Sequence, residues 1–138
     1  NFTELLDGVS VVLDATDNFA TRYVVNDLCV KHRVPWVYGG VLETSGMTMT
    51  VVPGKTPCLR CLFPEAPRDG AVPDTSTVGI LNTLPALIAA RQVTEAIKLL
   101  IAPDAINPHL VQLDLWENEV RQLTVHREAG CPICSGVT

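Results

Sequence analysis

The chain has 138 residues, 47% of them apolar and 18% charged, with a formal net charge of -5 at pH 7. This length fits one domain with ample material for a core, and the acidic balance excludes a nucleic-acid binder, which needs a basic stripe. No apolar run reaches bilayer-spanning length, and the start has no basic stretch followed by an apolar one, so a cytoplasmic protein with no membrane partner is expected.

The first residue is Asn1 rather than Met. The first apolar strand follows within a few residues, with no neighbour before it, and this reads as the later part of a longer protein. Phe2 to Asp7 reads as a helix end or a connection closed by Gly8. Val11 to Leu13 is a continuous apolar run, which predicts a parallel strand over Val9 to Leu13, buried on both faces. It leads into Asp14-Ala15-Thr16-Asp17-Asn18, a polar cluster that reads as the carboxyl end of the strand and the start of a helix. Ligands of open α/β sheets bind at such strand ends.

Asn18 to Lys31 carries Phe19, Tyr23, Val24, Leu28 and Val30 at mostly helical spacing. Cys29 stands alone in this stretch and reads as core. Pro35 to Tyr38 is a second strand, closed by Gly39-Gly40, and the three elements make a βαβ unit. Met47 to Val52 is β-prone and follows Gly46, which predicts an antiparallel strand after a turn there. Pro53 to Pro73 is a proline-rich loop in which Leu59, Leu62 and Phe63 need burial, and Gly70 to Ser76 is polar and unpatterned, which predicts a mobile segment.

Val78 to Ile101 is the longest periodic segment. Leu81, Leu84, Leu87, Ile88, Val93, Ile97 and Leu100 are expected on one buried face, with Pro85 at a break or first turn. Pro103 and Pro108 end it. His109 to Leu115 and Val120 to Val125 alternate around Glu117-Asn118-Glu119 and predict a β-hairpin.

Four of the five cysteines form two C-x-x-C pairs, Cys58/Cys61 and Cys131/Cys134. Zinc takes four tetrahedral ligands, and each pair delivers two thiolates at suitable spacing. Four protein ligands leave no open position, so the site is expected to be structural, tying the C-terminal end to the mid-chain loop. A redox dithiol and disulfides are the alternatives.

Asp14 and Asp17 are the candidate carboxylates. Either Asp17 or Thr16 merely caps the helix, or a carboxylate here holds Mg²⁺ on a nucleotide, since that ion takes one or two carboxylates plus phosphate oxygens. Arg22 reads as a solvated surface arginine, as one paired locally with an acid such as Asp17, or as a holder of an anionic group. Gly39-Gly40 is either a tight turn or a place of close approach to a ligand. His32, His109 and His126 share no spacing and read as surface or structural residues.

Leu13-Asp14-Ala15-Thr16-Asp17-Asn18, then Arg22 and Asn26, then Pro35-Trp36-Val37-Tyr38-Gly39-Gly40, then Pro57-Cys58-Leu59-Arg60-Cys61-Leu62-Phe63-Pro64, then Glu95-Ala96-Ile97-Lys98-Leu99-Leu100, then Cys131-Pro132-Ile133-Cys134 resemble, in order and near-spacing, the ThiF/MoeB/HesA family. These are bacterial adenylyltransferases related to ubiquitin-activating enzymes. The resemblance implies that residues 1–138 are one domain, the C-terminal half of an adenylation domain with an α/β, Rossmann-like fold. Its parallel strands would be extended by antiparallel ones. It implies use of ATP and Mg²⁺ to adenylate the C-terminal glycine of a ubiquitin-like sulfur carrier, as in thiamine or molybdopterin synthesis. Asp17 matches the Mg·ATP aspartate, with Asn18 and Arg22 beside it as nucleotide-binding positions, and the four cysteines match zinc ligands. Homodimers are implied too.

The Gly-rich nucleotide loop, ribose-binding acid and phosphate-binding basic residues of the family's N-terminal half are not in this sequence, so the fragment alone is expected to be inactive. Asp74-Thr75-Ser76-Thr77 holds no cysteine where many members have one, which favours adenylation without a covalent carrier intermediate. The stretch from Pro67 to Ser76 is expected to be a crossover segment over the carrier tail. The competing reading is a non-catalytic, zinc-stapled module that docks a ubiquitin-like protein or dimerises.

Overall fold

The computed structural model describes residues 1–67 and 75–137. A short helix α1 (Phe2–Leu5) precedes strand β1 (Val12–Leu13), helix α2 (Phe19–Lys31) and strand β2 (Trp36–Leu42). Strand β3 (Ser45–Val51), short helices α3 (Leu59–Leu62) and α4 (Thr75–Val78), and the long helix α5 (Thr83–Ile101) follow. A 3-10 turn (Pro103–Ala105) then leads to strands β4 (Leu110–Asp114) and β5 (Glu119–Leu123).

The five strands form one mixed sheet in the order β1-β2-β3-β4-β5. β1 and β2 are parallel, with Val12 opposite Trp36, and the rest of the sheet is antiparallel. The expected βαβ unit, antiparallel extension and terminal hairpin are all present. Asn118 makes the hairpin turn with φ 56°. No helix among the described residues is long and apolar enough to cross a membrane.

Alternation along the strands divides the core in two. Trp36, Tyr38, Met49 and Val51 project toward α2 and α3, where they pack with Val30, Cys29 and Leu59. The opposite face meets α5, whose Leu84 and Ile88 pack on Leu113 and Val41.

Several expectations are corrected. β1 is not buried on both faces: Val12 is half-buried and Leu13 is 40% exposed. It stands at the edge of the sheet, and among the described residues no strand pairs with its outer side. Gly39-Gly40 is not a turn but lies inside β2. A Cβ on Gly39 would stand 2.6 Å from the Gln92 amide, so the glycine marks a close approach of α5 rather than a chain reversal. Gly46 likewise lies in β3, under Ile88 and Leu84. The reversal before it is at Glu43-Thr44, with Glu43 at φ 53°.

The buried stripe of α5 is Leu84, Ile88, Gln92 and Ala96. Val93, Ile97 and Leu100 are 46%, 50% and 58% exposed. At about 100° per residue Val93 and Ile97 lie more than a quarter turn from their stripe neighbours Gln92 and Ala96, whereas Leu100 continues the i+4 spacing into the exposed last turn of the helix. A helix apolar on two faces does not reveal by its pattern which one meets the sheet. Leu59 is fully buried, whereas Leu62 and Phe63 are half-buried. Most of the segment expected to be mobile, and most of the crossover segment, lies outside the described residues. Thr75 to Val78 is helical.

Candidate functional site

The backbone ladder carries β1 one step past its last residue, because the Asp14 amide donates to the Val37 carbonyl at 3.0 Å. The chain then leaves the sheet. Asp14 is buried, and both its oxygens are engaged. Oδ1 accepts from the Thr16 amide at 2.8 Å and its hydroxyl at 2.7 Å, while Oδ2 accepts from Arg22 Nε at 3.0 Å and the Gly39 amide at 3.4 Å. From the far side, Gln92 Nε2 donates to the carbonyls of Asp14 at 2.8 Å and Val37 at 3.0 Å.

Arg22 is not solvated: it is paired locally with an acid, but that acid is Asp14 rather than Asp17. Arg22 is 8% exposed, and its Nη2 donates to the carbonyls of Thr16 at 2.6 Å and Gly39 at 3.1 Å. The guanidinium lies 5.6 Å from the Phe19 ring centroid and 5.4 Å from that of Tyr38. Burial raises the Tyr38 hydroxyl pKa, although the adjacent Arg22 charge opposes this.

Neither Thr16 nor Asp17 caps α2. Asn18 does so, accepting from the Thr21 amide at 2.8 Å with extended backbone angles. Asp17 is exposed and accepts from Asn18 Nδ2 at 3.2 Å through Oδ1. Its other oxygen meets no donor among the described residues. The turn therefore contains one carboxylate locked into the fold and another facing solvent, at the place where ligands of α/β sheets bind.

A second cluster lies at α3 and the C-terminal cysteine turn, where α3 packs against α2. The Sγ atoms of Cys58, Cys61, Cys131 and Cys134 all lie within 4.8 Å of one another, and all four residues are buried. Cys58 to Cys61 is 3.9 Å, Cys58 to Cys131 is 3.7 Å and Cys61 to Cys134 is 3.4 Å. A zinc–sulfur distance of about 2.3 Å gives tetrahedral sulfur separations of about 3.8 Å, so the donor set fits such an ion. None of the five cysteines is in a disulfide. Burial pushes the Cys58 thiol well above its usual range and Cys134 up to about 11. Burial acts on Cys131 in the same sense, but amide donors from Cys134 and Ile133 and the neighbouring sulfurs outweigh it and lower that thiol. Cys29 is fully buried away from the cluster, and burial raises it to about 11, as expected of a core residue.

Polar contacts of α2 join the two places. Tyr23 donates to the Phe63 carbonyl at 2.9 Å, and Asn26 accepts from the Leu59 amide inside the first cysteine turn at 2.9 Å. Asp27 accepts two bonds from Arg60, at 2.8 and 2.6 Å. Arg127 ties down the second turn, donating to Gly54, Cys134 and Val137 carbonyls at 2.7–2.8 Å. Sequence reasoning missed Gln92 and Arg127. Gln92 had one available signal: it is an amide within an apolar helical stripe. His32 and His126 are exposed, and His109 is half-buried with Nδ1 3.5 Å from the Thr124 hydroxyl, consistent with surface or structural roles.

A parallel βαβ unit with acidic residues at its carboxyl edge, continued by antiparallel strands and joined to a four-thiol cluster, defines an α/β protein with a mixed sheet. The model of the ThiF family matches residues 1–133, and the chain belongs to that family. It is 44% identical over 137 residues to a sulfur carrier protein ThiS adenylyltransferase of Bacillus subtilis, covering 97% of this chain and 40% of the relative. It is 41% identical over 135 residues to a SAMP-activating enzyme of Haloferax volcanii, covering 97% and 50%. The chain thus spans about half the length of the curated relatives it matches. The crystal structure of E. coli MccB with ATP shares the fold, with a TM-score of 0.73 at 18% identity over 99% of this chain and 44% of that one.

Proposed function

We propose that the chain is part of an ATP-dependent adenylyltransferase that activates the C-terminal glycine carboxylate of a ubiquitin-like sulfur carrier. The observation that carries this reading is the division of labour between Asp14 and Asp17. Asp14 is fixed by four donors, so Asp17 projects from a rigid turn with its charge exposed. The names of the relatives support the reaction class.

In this reading Asp17 holds the magnesium ion of bound ATP. Mg²⁺ and ATP, when bound, supply the electrophilic phosphorus and the neutralisation of phosphate charge. Asn18 holds Asp17 through its amide and starts α2. Arg22 acts as a positioning residue rather than a nucleotide ligand, because Nε and Nη2 are committed to Asp14, Thr16 and Gly39. Cys58, Cys61, Cys131 and Cys134 hold a structural zinc ion that braces the turns packed against α2. The exposed apolar outer face of α5 supports pairing with a second copy in a homodimer.

The test is ATP–pyrophosphate exchange by the full-length protein with candidate carriers ending in Gly-Gly. Carrier-dependent exchange is expected. A folded, zinc-loaded protein that shows no exchange with any carrier would be a binding module instead.

A further inference from the structure

The face of the sheet opposite α2 holds a cavity of about 310 Å³ between β3, β4 and the second half of α5. β2 separates β3 from the strand that leads to Asp17, so this is a different place on the fold. Thr48, Thr50, Arg91, Glu95, Lys98 and His109 are among its lining residues.

Two of its polar atoms are buried without a partner: the Thr48 hydroxyl, on a residue only 4% exposed, and Arg91 Nε. Buried polar atoms are ordinarily satisfied, and each one left unmade costs free energy. The charges are unbalanced as well. Glu95 Oε1 accepts from Lys98 at 2.6 Å, and its Oε2 accepts from the Asn107 amide at 2.8 Å and the Thr50 hydroxyl at 3.3 Å. That carboxylate and ammonium neutralise each other. The Arg91 guanidinium has no ion-pair partner among the described residues, so one positive charge is left over in a partly desolvated site, where its attraction for an anion exceeds that in bulk water.

We propose that this cavity binds a small oxyanion at the Arg91 guanidinium, next to the Thr48 hydroxyl. The volume exceeds that of a bare phosphate, which favours an organic molecule bearing a phosphate or carboxylate group. An arginine presents planar donors suited to both.

The test uses the intact, metal-loaded protein with inorganic phosphate and malonate as separate probes, at ionic strength matched with chloride. Amide and side-chain NMR signals of Thr48, Arg91 and His109 should shift in a saturable way with one or both probes. The preferred probe identifies the headgroup chemistry. Arg91→Met should weaken that response at least tenfold, and Thr48→Val should weaken it by a smaller factor. Thr48→Val keeps the side-chain shape and removes the hydroxyl, and Arg91→Met keeps the apolar stem and removes the guanidinium charge and its donors. Asp17→Ala should leave the response unchanged, separating this cavity from the proposed nucleotide site. A lack of response to both probes, an equal response to chloride, or a response retained in Arg91→Met would overturn the proposal.

Discussion

Arg22 Nε donates to Asp14 Oδ2 at 3.0 Å, with the side chains 9% and 0% exposed, and this pair fixes the turn at the end of β1. Removing either partner strands the other charge in a buried place. Asp14→Ala and Arg22→Met should each cost about 3–5 kcal/mol. Chemical denaturation would measure this as a large fall in midpoint. A midpoint close to that of the parent would mean that the pair is not the anchor of the turn.

Asp17 should behave in the opposite way, because it supports no backbone group. Asp17→Ala should leave the melting temperature nearly unchanged and abolish carrier-dependent pyrophosphate exchange in the full-length protein. Asn18→Ala should destabilise by about 1 kcal/mol through loss of the cap. Measuring stability and exchange on both variants separates capping from ligand binding.

Metal removal should act on the fold. Chelation, or Cys131→Ser with Cys134→Ser, should release bound zinc and lower stability by about 4 kcal/mol, the scale set by a cross-link closing a loop of this size. Metal analysis and melting should change together. Unchanged melting after complete metal loss would remove the structural role.

The hairpin junction should respond to acid. The Ser45 hydroxyl first, then the Glu117 amide, the Thr44 hydroxyl and the Trp116 amide hold the Asp114 carboxyl below its ordinary 3.8, against a smaller opposing effect of desolvation. A carboxyl with a lower pKa when folded contributes stability above its unfolded pKa, and the contribution is lost as the pH falls through the folded value. Asp114→Asn should therefore lower stability near neutrality, where the contribution is present in full, and flatten the acid limb of the stability curve. Denaturation midpoints across the acid range would show it.

The elements with strong local signals were legible in the chain. The βαβ unit, the terminal hairpin and the pairing of two C-x-x-C turns follow from apolar alternation, turn chemistry and ligand spacing, which act over a few residues. Faces and partners were less legible. Leu87, Val93, Ile97 and Leu100 satisfy helical spacing as well as Leu84 and Ile88 do, and only packing on β2 and β3 selects the stripe that contains Gln92. Gly46 reads as a turn, and Gly39 as a turn or a close approach to a ligand, because glycine permits both, yet both glycines serve close helix-to-sheet approach.

By itself the sequence determined that two carboxylates stand at a strand end and that four thiols come in two turns. Tertiary structure decided which carboxylate is free. Arg22 on α2, Gly39 on β2 and Thr16 in the turn converge on Asp14, so Asp14 is consumed by the fold and Asp17 is left to solvent. It also brought Arg91 and Thr48, distant in sequence, to one cavity without giving either a partner. Hydrogen bonds and charge balance depend on distances across the fold, and residue spacing along the chain does not encode those distances.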